Sequence, residues 1–96
     1  MSYEVILSPQ AEKDLARLPP ALQEYVEQQL LLLASDPVSL SRRSAFPYPP
    51  TCQLFRTEPI DYDGAQHEFA ILFRYSQDET AIQIVGIGHI ERPPLG

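Results

Sequence analysis

The side chains with the clearest chemical capacity in this 96-residue chain are arginines and a histidine. Arg42, Arg43 and Arg56 fall within residues 40–57, a stretch without a single carboxylate. Guanidinium groups collected in this way can hold phosphate or dock a protein partner. His89, in "GIGHIE" near the end of an apolar run, titrates close to neutrality and can give or take a proton. Each has an ordinary reading beside the functional one. Arg56 suits a solvated or ion-paired strand position, Arg42 and Arg43 a plain surface pair, and His89 the polar end of a structural strand. His67, beside a turn and before Glu68, reads as exposed structural polarity.

Other groups are weaker. His67, His89, Asp61, Asp63 and Cys52 match no familiar zinc spacing. "DYDG" at 61–64 lacks the later bidentate glutamate of an EF-hand loop. Neither a metal nor a cofactor is therefore expected. Cys52 reads as a small buried hydrophobe. Ser8, Ser35 and Ser76 occupy caps and turns. Gly86 and Gly88 lack the strand-to-helix setting of a phosphate loop and point instead to a bulge or a close backbone approach.

The elements that must carry these residues follow from periodicity. Tyr3, Val5 and Leu7 alternate in a first strand. Ser8-Pro9 is a helix start, with serine as cap and proline in the first turn. Ala11, Leu15 and Leu18 then form one apolar stripe, and Pro19-Pro20 ends that helix. A second helix over 21–34 puts Leu22, Val26, Leu30 and Leu33 on one face and closes at Asp36-Pro37. The short link makes the two an αα-hairpin. Leu31 and Leu32 exceed what one stripe can hide, so this helix is either buried on two sides or offers a patch to a partner helix. Residues 37–50, with Pro37, Pro47, Pro49 and Pro50, read as a stiff extended loop. Three strands follow over 52–58, 67–75 and 81–89, separated by "DYDG" and "SQDET". In the middle one Phe69, Ile71, Phe73 and Tyr75 share a face. The expected fold is α+β, in the order β-α-α-β-β-β, with the two-helix hairpin packed on one face of a small antiparallel sheet.

Composition bounds the function. The length suits one domain over 1–96. No apolar run approaches a bilayer span, and the first residues lack a secretory signal pattern. A single cysteine fits a reducing compartment, so a cytoplasmic setting is expected. A net charge of −6 weighs against general nucleic-acid binding and leaves room only for a local basic patch.

The pattern resembles the RelE/ParE superfamily of toxins from bacterial type II toxin–antitoxin systems. The resemblance begins in "YEVILSPQAEKDLARLPPALQEYVEQQLLLLASDP", with its capped "A-x-K-D-L-x-x-L" helix. It resumes in "FAILFRYSQDETAIQIVGIGHIE", which looks like the family's last two strands. It implies a compact toxin neutralised by a cognate antitoxin that wraps its surface. It also implies one of two targets: messenger RNA in the ribosomal A site, cut without a metal, or DNA gyrase. For a nuclease, Arg56 matches a basic position on the strand after the helices and would hold phosphate, and His89 would move protons. Arg42, Arg43 and Arg74 would contact RNA or a partner. Other basic positions of the family fall here on Leu54, Ala70 and Ile90, and "RPPLG" supplies no late tyrosine or histidine. The competing expectation is therefore a non-catalytic binding module on the same fold. Its helical face or sheet edge would take an antitoxin or a second copy of the chain.

Overall fold

The computed structural model describes residues 2–43 and 51–93. In chain order the elements are β1 (Glu4–Leu7), α1 (Pro9–Ala16), α2 (Pro20–Ser35), α3 (Pro37–Leu40), β2 (Arg42–Arg43), β3 (Gln53–Arg56), β4 (Ile60–Tyr62), β5 (Ala65–Tyr75) and β6 (Ala81–Arg92). The six strands form one sheet in the order β1-β6-β5-β3-β2, with β4 continuing beside β5 where β3 leaves off. All pairings are antiparallel except β1 with β6, which is parallel. The expected α+β fold is therefore present, with a mixed sheet in place of a purely antiparallel one. No helix among the described residues is long and apolar enough to cross a membrane.

Ser8 starts α1 as its chemistry suggests: its Oγ accepts from the Ala11 N–H at 3.0 Å, and Pro9 fills the first helical position. In α2 the stripe Leu22, Val26, Leu30 and Leu33 is buried as a unit. It packs with Ala11 and Leu18 against Phe55, Phe69, Ile71, Phe73, Ile82, Ile84 and Ile87 of the sheet. Phe69 and Phe73 are wholly buried, and each contributes about 2–3 kcal/mol by leaving water. Tyr25 ties α2 to the sheet margin by donating its hydroxyl to the Glu58 carbonyl. The extra leucines are not hidden: Leu31 is 69 % exposed and Leu32 is exposed too, so α2 is buried on one side only.

Several boundaries differ from the sequence reading. Residues 37–43 are not loop: Asp36 caps the single turn of α3 by accepting from Ser39 N–H, and Arg42–Arg43 pair with β3. The expected stiffness at Pro47, Pro49 and Pro50 lies outside the described residues. The strand expected over 52–58 ends at Arg56, and a new strand, β4, begins after Pro59. Proline has no N–H to give the ladder, which explains the break. The turn within "DYDG" is only Asp63-Gly64. Both have positive φ (51° and 77°), the backbone of a two-residue hairpin joining β4 to β5.

The bulge expected near Gly86 is found one residue earlier. Leu72 pairs with Gly86 but Phe73 with Ile84, which leaves Val85 as the extra residue of β6. The ladder groups freed there are satisfied from α1. Ser8 Oγ donates to the Val85 carbonyl at 2.9 Å, and Asp14 Oδ2 accepts from the Ile87 N–H at 2.9 Å. A strand has a side-chain period of two, so one extra residue reverses its faces. Before the bulge Ile82 and Ile84 face the helices; after it Ile87, His89 and Glu91 do.

Candidate functional site

Two groups of polar side chains lie on opposite faces of the sheet. On the face away from α1 and α2, β5 presents Glu68, Ala70, Leu72 and Arg74. Its neighbours present Leu54 and Arg56 from β3, and Gly88, Ile90 and Arg92 from β6. Ala70 stands opposite both Arg56 and Gly88, and a Cβ added at Gly88 would lie 3.6 Å from that of Ala70. Small residues thus form a low floor. Ser39, Leu40, Ser41, Arg42, Leu54 and Arg56 line a shallow cleft of ≈ 400 Å³ at the margin of this face.

Glu68 organises the arginines. Its Oε1 lies 3.1 Å from an Arg56 Nη and 2.8 Å from an Arg92 Nη, while its side chain is only 10 % exposed. No aligned hydrogen bond accompanies these approaches, so the clamp is mainly electrostatic. Both arginines keep exposed surface. Two guanidiniums around one carboxylate leave a net positive centre, and Arg74 and Arg42 extend it along the face. Four of the chain's six arginines therefore share one face of a molecule whose net charge is −6. Arg43 alternates to the other side of its strand and is exposed.

On the helix-bearing face, at the end of β5 and β6, lie His67, His89 and Glu91. Register places Phe69 opposite His89 and His67 opposite Glu91. His89 lies flat on Phe69, with ring centroids 4.8 Å apart and planes 16° from parallel. Its Nε2 is 2.8 Å from Nδ1 of His67. The other nitrogen of His67 is 3.0 Å from the Tyr62 carbonyl, and Nδ1 is 3.7 Å from Oε1 of Glu91. With Pro19, Leu22, Asp63 and Ala65 these residues line a cleft of ≈ 260 Å³. Partial burial, then the adjacent His67 ring, hold His89 below the ordinary histidine value, with Glu91 opposing. Although much of His89 is exposed, the stacked ring face sees Phe69 and not water.

The residues expected from sequence thus divide. Arg56, Arg42 and Arg74 gather on the face away from α1 and α2, while His89 stands behind the sheet from them because the Val85 bulge turned it there. Arg56 and His89 do not share a site. His67, expected to be exposed, is 4 % exposed, enclosed by Tyr62 and His89. Cys52 is buried, as expected. The loose set of possible metal ligands separates as well: His67 and His89 come together, Glu91 replaces Cys52 and Asp61, and Asp63 lines the same cleft. Sequence reading passed over Arg92 because the last strand was ended at His89. The available signal was the alternation Gly88, Ile90, Arg92, which runs on to place that arginine beside Glu68.

No protein-family model and no curated protein matches this sequence. Solved structures do match in shape. A chain of the RelBE2 toxin–antitoxin complex from Mycobacterium tuberculosis superposes with a TM-score of 0.75 at 19 % identity, covering 94 % of this chain and all of that one. A free, doubly arginine-to-alanine-substituted RelE toxin of Escherichia coli gives 0.63 at 13 % identity, over 92 % of this chain and 83 % of that one. A chain of the intact E. coli RelBE complex gives 0.60 at 14 %, over 95 % of this chain and all of that one. The chain has the RelE fold.

Proposed function

We propose that this RelE-fold chain is the toxin half of a toxin–antitoxin pair and acts through its arginine-bearing sheet face on a phosphate-rich target. The observation that carries the reading is the clustering of Arg42, Arg56, Arg74 and Arg92 on one face of an otherwise acidic molecule. Diffuse attraction to nucleic acid is opposed by the net charge of −6, so a phosphate chain is engaged only where guanidiniums are concentrated. The target in this reading is RNA on the ribosome. Cleavage there would need a proton acceptor on the same face. With His89 behind the sheet, Glu68 is the carboxylate within reach of the two arginines. The exposed Leu31, Leu32 and Val38 on α2 and α3 offer apolar surface that an antitoxin segment can cover.

A second reading is favoured by the apolar floor at Leu54, Ala70 and Ile90: a module that grips a protein, gyrase among the candidates, and cuts nothing. Induction of the chain alone in a bacterial host, with growth and ribosome-bound RNA ends followed together, separates the two. Growth arrest with new ends in the A site, both lost in an Arg56→Ala, Arg92→Ala double variant, is the expected result. Arrest without new ends supports the protein-directed reading. Unimpaired growth with stable, soluble protein overturns the assignment as a toxin.

A further inference from the structure

The His67–His89–Glu91 cluster lies behind the sheet from the arginines and has no part in the function proposed above. We propose that it is a binding site for one divalent transition-metal ion of the zinc class, with its fourth position open to the cleft beside Tyr62 and Asp63.

The ligand atoms come from different parts of the chain and are assembled by register alone. His67 lies on β5, and His89 and Glu91 lie two residues apart on β6, turned to the same face by the bulge at Val85. His67 Nδ1, His89 Nε2 and a Glu91 carboxylate oxygen all lie within 4.8 Å of one another. Tetrahedral zinc with bonds of about 2.0–2.2 Å sets its ligand atoms roughly 3.3–3.5 Å apart. The separations of 2.8 Å between the two nitrogens and 3.7 Å from His67 Nδ1 to Glu91 Oε1 straddle that spacing. An ion enters if the His89 ring backs off by roughly half an ångström. That ring borders the open cleft.

The surroundings favour ligation. His67 Nε2 faces the Tyr62 carbonyl at 3.0 Å and can only donate to it. This contact fixes the tautomer and leaves the Nδ1 lone pair turned towards His89 and Glu91. Such carbonyl-anchored imidazoles are a regular support for metal ligands. Tyr62 meets the His67 ring edge-on and Phe69 underlies His89, so both rings are oriented by packing before any ion arrives. Arg92, next to Glu91 in sequence, turns to the other face and pairs with Glu68, leaving the Glu91 carboxylate to the cluster. Two imidazoles with one carboxylate suit zinc and also accept cobalt, nickel or copper. Three protein ligands with an open position is the arrangement of sites that also bind a water or a small anionic ligand.

The test uses tag-free full-length protein, stripped with EDTA and desalted, titrated with CoCl₂ and with ZnCl₂. The expected result is one equivalent of Co²⁺ bound with the intense visible absorption of four-coordinate geometry, displaced by Zn²⁺, and a higher Tm with zinc. His89→Gln is expected to weaken binding at least tenfold. Glu91→Gln is expected to weaken it several-fold; with its side chain 63 % exposed, the substitution leaves folding intact. Absence of saturable binding of either metal overturns the proposal and leaves the two histidines as a hydrogen-bonded pair. Binding that is unchanged in both variants overturns it equally, because the ion then sits elsewhere.

Discussion

Glu68 is an acid set among the arginines of the sheet face that looks away from the helices. Its carboxylate holds Arg56 and Arg92 in place and partly cancels their charge. Both effects follow from one group, so Glu68→Gln is expected to move two observables in opposite directions. Thermal stability falls, because two guanidiniums then face each other without the anion. Affinity for single-stranded RNA rises, and the slope of log K against log salt steepens by about 0.7, the value of one further phosphate on a single strand. Fluorescence titrations from low to moderate salt measure this, and an unchanged slope would mean that Glu68 does not shield the face. Arg56 could be placed from sequence, since it alternates with the core residue Phe55. Its partners could not: the Glu68–Arg92 pair joins strands whose register is written nowhere in the local sequence.

The elements differ in how openly the sequence declares them. α1 and α2 are read directly, through Ser8-Pro9, Pro19-Pro20 and a leucine stripe of helical period. The β4–β5 hairpin is obscured because the strand expected over 52–58 stops at Arg56 and because Asp61 and Tyr62, taken as turn, are strand. The bulge in β6 has the largest consequence. Ile82, Ile84 and Ile87 already show the change of phase in sequence, yet the cause, Val85 displaced and its neighbours bonded to α1, is tertiary. Asp14 is the key support, since its Oδ2 accepts from the Ile87 N–H. Asp14→Ala is expected to cost about 1–3 kcal/mol, the range for stranding a buried donor of this kind. Urea denaturation reads this as a lower midpoint with an unchanged m-value. A loss well under 1 kcal/mol would show that water replaces the carboxylate there. Because the same bulge aims His89, that variant should also shift the His89 ring resonances in NMR spectra.

In the molecule as a whole, charge and chemistry are divided by the sheet: four of the six arginines on one side, helices and the histidine cluster on the other. This division explains why a mean charge says little about the chain. The hydrophobic layer between the two is built from β5 and β6 against α2, and its centre is Phe69, Ile71 and Phe73. Amide hydrogen exchange is therefore expected to be slowest from Phe69 to Phe73 and faster in α3 and β2, where Val38, Ser39, Leu40, Arg42 and Arg43 are exposed. Protection of α3 equal to that of β5 would contradict this distribution of stability.

The parallel seam between β1 and β6 bears on how the chain is made. Glu4 pairs with Ala81 and Leu7 with Ile84, so among the described strands the first in chain order finds its ladder partner in the last. Until β6 has emerged, β1 lacks this strand partner, and the leucine stripe of α2 lacks Ile82, Ile84 and Ile87 as cover. Closing so long a loop before it is rewarded makes folding slow for a chain of this size. The nascent protein therefore passes through a period with apolar helix surface uncovered, and a partner translated alongside it could capture the chain before its arginine face is ever complete.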